Sequence, residues 1–271
     1  MPPAERMALL LLVLMIVQPL LGLVLSDQYR DADWIKAAWY GNDWITLVGA
    51  VPLLCLGIQR TGRGSIRRQL LVVGMAAYAV YNYAFYLFGA ALNVFFPLYV
   101  VGFLLGILTL GHFLSHLDVT VVANSFRHDA PVRLVGGYLV FVAVGLAFVW
   151  LGMWGAYAFA GRPTPIEPEA FKIVAALDLS LMVPALAVGG VMLWRRRPWG
   201  YVIATIAATQ GALYLLVLSV NSALAIRRGL VSAPGELLIW GPLTIFTTIA
   251  AILLLRGVSG TSCSDQQVAN T

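Results

Sequence analysis

An all-α polytopic bundle of about eight membrane-spanning helices is the fold this sequence predicts, and three observations carry the prediction. Of 271 residues, 61% are hydrophobic and 11% charged, against about 25% charged in a typical soluble domain. Apolar runs of about 20 residues recur from end to end, the length a helix needs to cross a bilayer core. The runs are continuous, whereas barrel strands alternate polar and apolar over about ten residues. Lipid is therefore the solvent. The net charge of +5 sits in short clusters between apolar runs, where it serves topology and anionic lipid contact. No basic face with interleaved aromatics offers a nucleic-acid surface.

The spans fall at 7–25, 44–59, 69–89, 94–116, 133–156, 171–194, 198–220 and 236–256. They form one transmembrane domain over 1–256, followed by a short polar tail, 257–271, expected to be disordered. The first run, after Arg6, is longer than a secretory h-region and lacks a clear A-x-A site. It reads as an anchor, and cleavage would leave seven helices. The first connection interleaves Asp27, Asp31, Asp33 and Asp43 with Tyr29, Trp34, Trp39, Tyr40 and Trp44. It reads as an amphipathic element at headgroup level, or as a lid or cation-attracting mouth. Asn42 and Asp43 read as N-caps of the second span, and Asn93 of the fourth.

The third span carries Tyr78, Asn82 and Tyr86 at i, i+4 and i+8, with Tyr86 read as packing and Asn82 as lining a path. In the fourth, Gly102 and Gly106 make a small-xxx-small face, and Gly189 with Gly190 does the same in the sixth. His112 and His116 lie one turn apart, near Asp118 and His128. They are a candidate metal pair, or more simply an interfacial pair able to shuttle protons; no Glu follows His112 as in zinc proteases. Arg195, Arg196 and Arg197 between Trp194 and Trp199 read as an interface anchor and tight turn. Cys55 reads as a small core residue and Cys263 as an exposed thiol, with no disulfide framework.

Positive residues are retained on the cytoplasmic side. Placing the N-terminus inside puts eleven Lys and Arg in cytoplasmic connections and six outside, so both termini are expected in the cytoplasm. Asp43 to Val51-Pro52 and an Arg cluster is echoed by Asp178 to Val183-Pro184 and three arginines. This suggests two four-helix halves in parallel orientation, a plan some transporters use to build a site between halves. The match needs a three-residue offset between Asp and Pro.

Asp178 is the sharpest candidate, seven residues into its span and about 10 Å deep at ~1.5 Å rise per residue. An ionisable group at that depth is costly and is a functional hypothesis by default. Gln18, Asn82, Tyr99, Gln210, Tyr214 and Thr244 reach a similar depth, defining a polar layer in the outer half of the bilayer. Pro52, Pro97, Pro184 and Pro242 loosen backbone pairing nearby. The layer is either a pocket or a set of interhelical hydrogen bonds.

The stretch Gly41-Asn42-Asp43-Trp44-Ile45-Thr46-Leu47-Val48, then Arg63 to Arg68, Tyr81-Asn82-Tyr83 with Tyr86, Asn93 and Pro97-Leu98-Tyr99-Val100, resembles an uncharacterised family of bacterial multi-pass inner-membrane proteins. Leu177-Asp178 with Pro184, and Leu193 to Gly200, resemble that family's second signature. The resemblance implies a bacterial plasma-membrane protein and carries no activity.

No nucleophile elbow, phosphate loop or dinucleotide fingerprint is present, and no cofactor is implied. The leading expectation is a transporter or permease-like protein for a small solute, coupled to protons through Asp178. The alternatives are an intramembrane enzyme acting on a lipid or quinone and a non-catalytic scaffold or assembly factor. Transport predicts a cavity reaching Asp178, an enzyme predicts a lateral opening, and a scaffold predicts a capped Asp178 without a cavity. Asp178 facing lipid, or sealed by three hydrogen bonds, removes both functional readings.

Overall fold

The computed structural model describes residues 3–58, 65–164, 166–229 and 235–259, apart from the side chains of Trp34 and Glu236. Arg60, Arg63, Cys263 and the tail from 260 onward lie outside the described residues. The elements are α1 Pro3–Val24, α2 Asp33–Ile45, α3 Val51–Ile58, α4 Ile66–Gly89, α5 Phe96–Ser115, the short α6 Val119–Asn124, α7 Val132–Ala160, α8 Pro168–Leu177, α9 Val183–Trp194, α10 Pro198–Arg227 and α11 Gly235–Gly257. Among the described residues eight helices are long and apolar enough to cross a membrane, α2–α3 and α8–α9 each counting as one. There is no β-strand among them, only an isolated bridge from Phe126 to Val258.

Two of the spans are interrupted in the same way. A π turn at Thr46–Ala50 joins α2 to α3, and another at Asp178–Met182 joins α8 to α9. In each, the last wide hydrogen bond runs from a valine N–H five residues back, Val51 to Thr46 and Val183 to Asp178. Pro52 and Pro184 follow directly. A proline ring collides with the carbonyl four residues earlier in a regular helix, and widening the preceding turn relieves that collision.

These turns also resolve the three-residue offset. Aligned on the π turn, Asp178 corresponds to Thr46, and Asp43 sits one turn earlier. The two acids are therefore not equivalent positions, although the Val-Pro signature that follows them is.

The halves repeat their neighbours. The α4 helix packs on α3 and α5 as α10 packs on α9 and α11, and α1 packs on α2 and α3 as α7 packs on α9. Across the middle α4 meets α10, with α2 against α10 mirrored by α8 against α4. The two central helices are the most enclosed, 78% and 72% of their best windows being buried against 22% for α5, α7 and α11. Two apolar clusters result, one in each half, and each borrows from the other's central helix. Leu213 and Val217 of α10 join the first, while Ile66, Leu70 and Tyr81 of α4 join the second. Phe141, Phe148 and Phe159 of α7 are left on the outside as a lipid-facing surface.

With lipid on the outside, helix association depends on close packing. The α7 and α9 backbones nearly touch: a Cβ on Gly190 would lie 2.7 Å from the Gly136 carbonyl oxygen. Gly102 takes the Tyr83 ring, 2.7 Å from its own would-be Cβ. The beginning of the tail is ordered rather than loose. Arg127 N–H donates to the Gly257 carbonyl, Ser259 N–H to that of Ser125, and Arg67 to that of Val258 at 2.6 Å.

Candidate functional site

Asp178 opens the π turn of the sixth span and is fully buried. Three side chains from three helices converge on it. The Tyr81 hydroxyl of α4 donates to Oδ1 at 2.6 Å, while the Trp150 indole N–H of α7 and the Tyr214 hydroxyl of α10 donate to Oδ2 at 2.8 and 2.9 Å. The carboxylate is thus an acceptor three times over, sealed on all sides. Sealing by three hydrogen bonds is the condition that removes both the transporter and the enzyme readings built on Asp178.

The three donors, however, form part of the wall of a cavity of about 830 Å³. It lies between the halves, enclosed by α2 and α4 on one side and by α7, α8, α10 and α11 on the other. Asp33 and Glu167 lie on its rim, on the face opposite the termini, and the interior is predominantly apolar and aromatic. The molecule therefore combines a capped aspartate, expected of a scaffold, with a cavity between the halves that is lined by the three donors and does not reach Asp178 itself.

The depth layer separates into three groups. Asn82 (5% exposed) and Tyr214 line the cavity. Gln18 belongs to a second cluster, around Asp43, and Tyr99 stacks on Tyr86 there with ring centroids 4.9 Å apart. Gln210 is buried on α10 and does not line the cavity. Thr244 shares a hydrogen bond with Ser219 at 2.9 Å and ties α11 to α10.

The His112 and His116 rings lie tilted to one another with centroids 4.4 Å apart, and His116 Nδ1 lies 2.8 Å from the His112 carbonyl oxygen. No group of three metal-binding side chains exists among the described residues. Asp118 caps α6 by accepting from the Thr120 and Val121 N–H groups.

Asp43 and Asn42 are not N-caps. The α2 helix begins ten residues before Asp43, at Asp33, and Asp43 is fully buried. It accepts from Gln18 (3.3 Å) and Tyr86 (2.8 Å) on Oδ1 and from Tyr29 (2.6 Å) on Oδ2. Burial, and then the Asp43 carboxylate beside it, raise the Tyr29 phenol well above the usual tyrosine range, so it remains a donor. Asn93 does satisfy a backbone donor, that of Phe95 at 2.9 Å, from a position outside the helix. The first connection also turns inward. Tyr29 and Trp39 are each 1% exposed, and Trp39 donates to Asp31 while stacking on Tyr86.

Sequence reasoning missed Tyr81, Trp150 and the Asp43 cluster. The aspartate in the first half of the repeat was a usable signal for Asp43. Trp150, in an uninterrupted apolar run, offered none, because its role depends on which helix faces it.

No protein-family model, curated protein or solved structure matches this chain. Fold and site therefore carry the functional argument.

Proposed function

We propose that this multi-pass membrane protein is a permease-like carrier that holds a small, largely apolar solute in the cavity between its halves. The cavity itself carries the reading: its size falls within the roughly 300–1,000 Å³ of small-molecule sites, and it sits where two similar halves meet, the place alternating access requires. Asp178 serves as a strut. By collecting the Tyr81, Trp150 and Tyr214 donors it fixes three wall residues; that sealing removes the transport reading built on Asp178, and the carrier proposed here rests on the cavity instead. The charge bias of the connections supports cytoplasmic termini in a bacterial plasma membrane, with the cavity mouth outside.

Among the described residues no His or Cys lines the cavity, and its two carboxylates, Asp33 and Glu167, stand at the rim. The test is solute counterflow in proteoliposomes with Ala38→Trp, which places an indole in the cavity from its α2 wall. Expected is saturable flux that this variant abolishes while its melting temperature holds. Flux that survives the filled cavity refutes the carrier. Labelling Glu167→Cys in a background lacking Cys55 and Cys263 with an impermeant maleimide tests orientation, and reaction only from the cytoplasmic side reverses it.

A further inference from the structure

The walls of the cavity have a chemical bias. Among the described residues its lining contains the carboxylates Asp33 and Glu167 and no Lys, Arg or His. Four of its aromatic members have spent their polar hydrogens elsewhere: Tyr81, Trp150 and Tyr214 donate to Asp178, and Trp39 donates to Asp31. What these four present to the cavity is ring surface and hydroxyl lone pairs, an electron-rich part of the lining. Such surfaces attract cations, most strongly when both partners are out of water.

Amides depart from this pattern, Asn82 and Asn221 among them, and one is unpaired. Asn42 lines the cavity at 3% exposure, and its Nδ2 has no hydrogen-bond partner. A buried amide donor left unpaired is costly; Nδ2 is covered as the side chain stands, so a ligand oxygen would pair with it by displacing its covering contacts.

The nearest basic groups lie in an adjoining groove on the same face. Lys36 pairs with Asp33 at 3.3 Å, and the Arg228 guanidinium rests 4.7 Å from the centre of the Tyr40 ring. Neither lines the cavity, and Glu167 remains on its rim.

We infer that the cavity's ligand is a lipophilic organic cation bearing one hydrogen-bond acceptor, held by the aromatic walls with its acceptor toward Asn42. This rests on the cavity being a solute site and adds the class of solute.

The test uses the full chain in nanodiscs, with empty nanodiscs as the control for partitioning. Binding of tetraphenylphosphonium is compared by equilibrium dialysis with that of tetraphenylborate, an anion of nearly the same size. The cation is expected to bind at least about tenfold tighter, the ratio one or two desolvated cation–π contacts supply. Trp240→Leu should weaken cation binding several-fold, and Ala38→Trp should abolish it. Asn42→Leu should weaken benzoylcholine, which has an ester carbonyl, and leave tetraphenylphosphonium unchanged.

Equal or reversed charge preference overturns the inference, as does cation binding that persists with Ala38→Trp. An Asn42→Leu effect of equal size on both cations overturns the acceptor assignment. If neutral solutes show flux that Ala38→Trp blocks but no charge preference appears, the inference fails and the carrier stands. Charge-selective binding without flux of any solute leaves the inference standing and removes the carrier.

Discussion

Asp43 and Asp178 present the same chemistry in two settings. Each is a fully buried carboxylate that accepts three hydrogen bonds. The Asp43 donors come from α1, α4 and the first connection, all within one half. The Asp178 donors come from α4, α7 and α10, so Tyr81 carries the network across the middle of the molecule. The surroundings differ as well: Tyr29, Tyr86 and Gln18 are closed in by apolar packing, whereas the groups around Asp178 form a cavity wall. A buried network that is fully enclosed acts as a brace, and one with a free surface can also shape a site.

The two settings predict different costs, and the largest belongs to Asp43. Asp43→Ala leaves Tyr29, Tyr86 and Gln18 without an acceptor in a place with no room to turn. It should destabilise by about 3 kcal/mol or more, since two phenols and an amide each lose a partner at about 1–3 kcal/mol per buried group, and yield little folded protein on size exclusion. Asp178→Asn should cost about 1–3 kcal/mol, because Tyr81 and Tyr214 can turn toward the cavity. It should also weaken ligand binding by loosening three wall residues, without altering the pH dependence of flux. If the two variants melt alike, the contrast between enclosed and open networks fails.

Gly102→Ala tests the packing of the first half alone. The Tyr83 ring must shift, at about 1–3 kcal/mol, and the cavity should be unaffected, so lost ligand binding would show the halves to be coupled. Tyr81→Phe and Tyr86→Phe remove one donor from each network and should cost about 1–2 kcal/mol each in thermal unfolding. Only Tyr81→Phe should alter ligand affinity.

The smallest effect belongs to the exposed Arg127–Asp129 pair at 2.5 Å on the face of the termini. The Arg127 hydrogen bond holds the Asp129 carboxyl below the usual aspartate range. Its contribution is present above that range and fades as pH falls through the lowered value. Asp129→Asn should flatten that acid limb slightly and barely move the neutral melting temperature, since exposed pairs contribute little.

Legibility in the sequence followed the kind of interaction involved. The eight apolar runs were readable because bilayer thickness imposes a length on each span independently of its neighbours. The Val-Pro recurrence was readable for the same local reason, although its register with the aspartates was not: a π turn inserts a step into the helix that residue counting does not see. Depth grouped Gln18, Tyr99 and Tyr214 in one layer, since residue position along a span reports height. It could not say which way each side chain faces around the bundle.

The sequence by itself determined that this chain is an all-α membrane bundle of eight long apolar helices with one acid, Asp178, placed deep within its span. Tertiary structure alone decided that Asp43 and Asp178 serve different networks, that Asp43 is a brace and not a cap, and that Trp150 completes the shell around Asp178. The physical reason is that burial in lipid is a property of one helix, whereas a hydrogen bond between spans needs the azimuth and register of two.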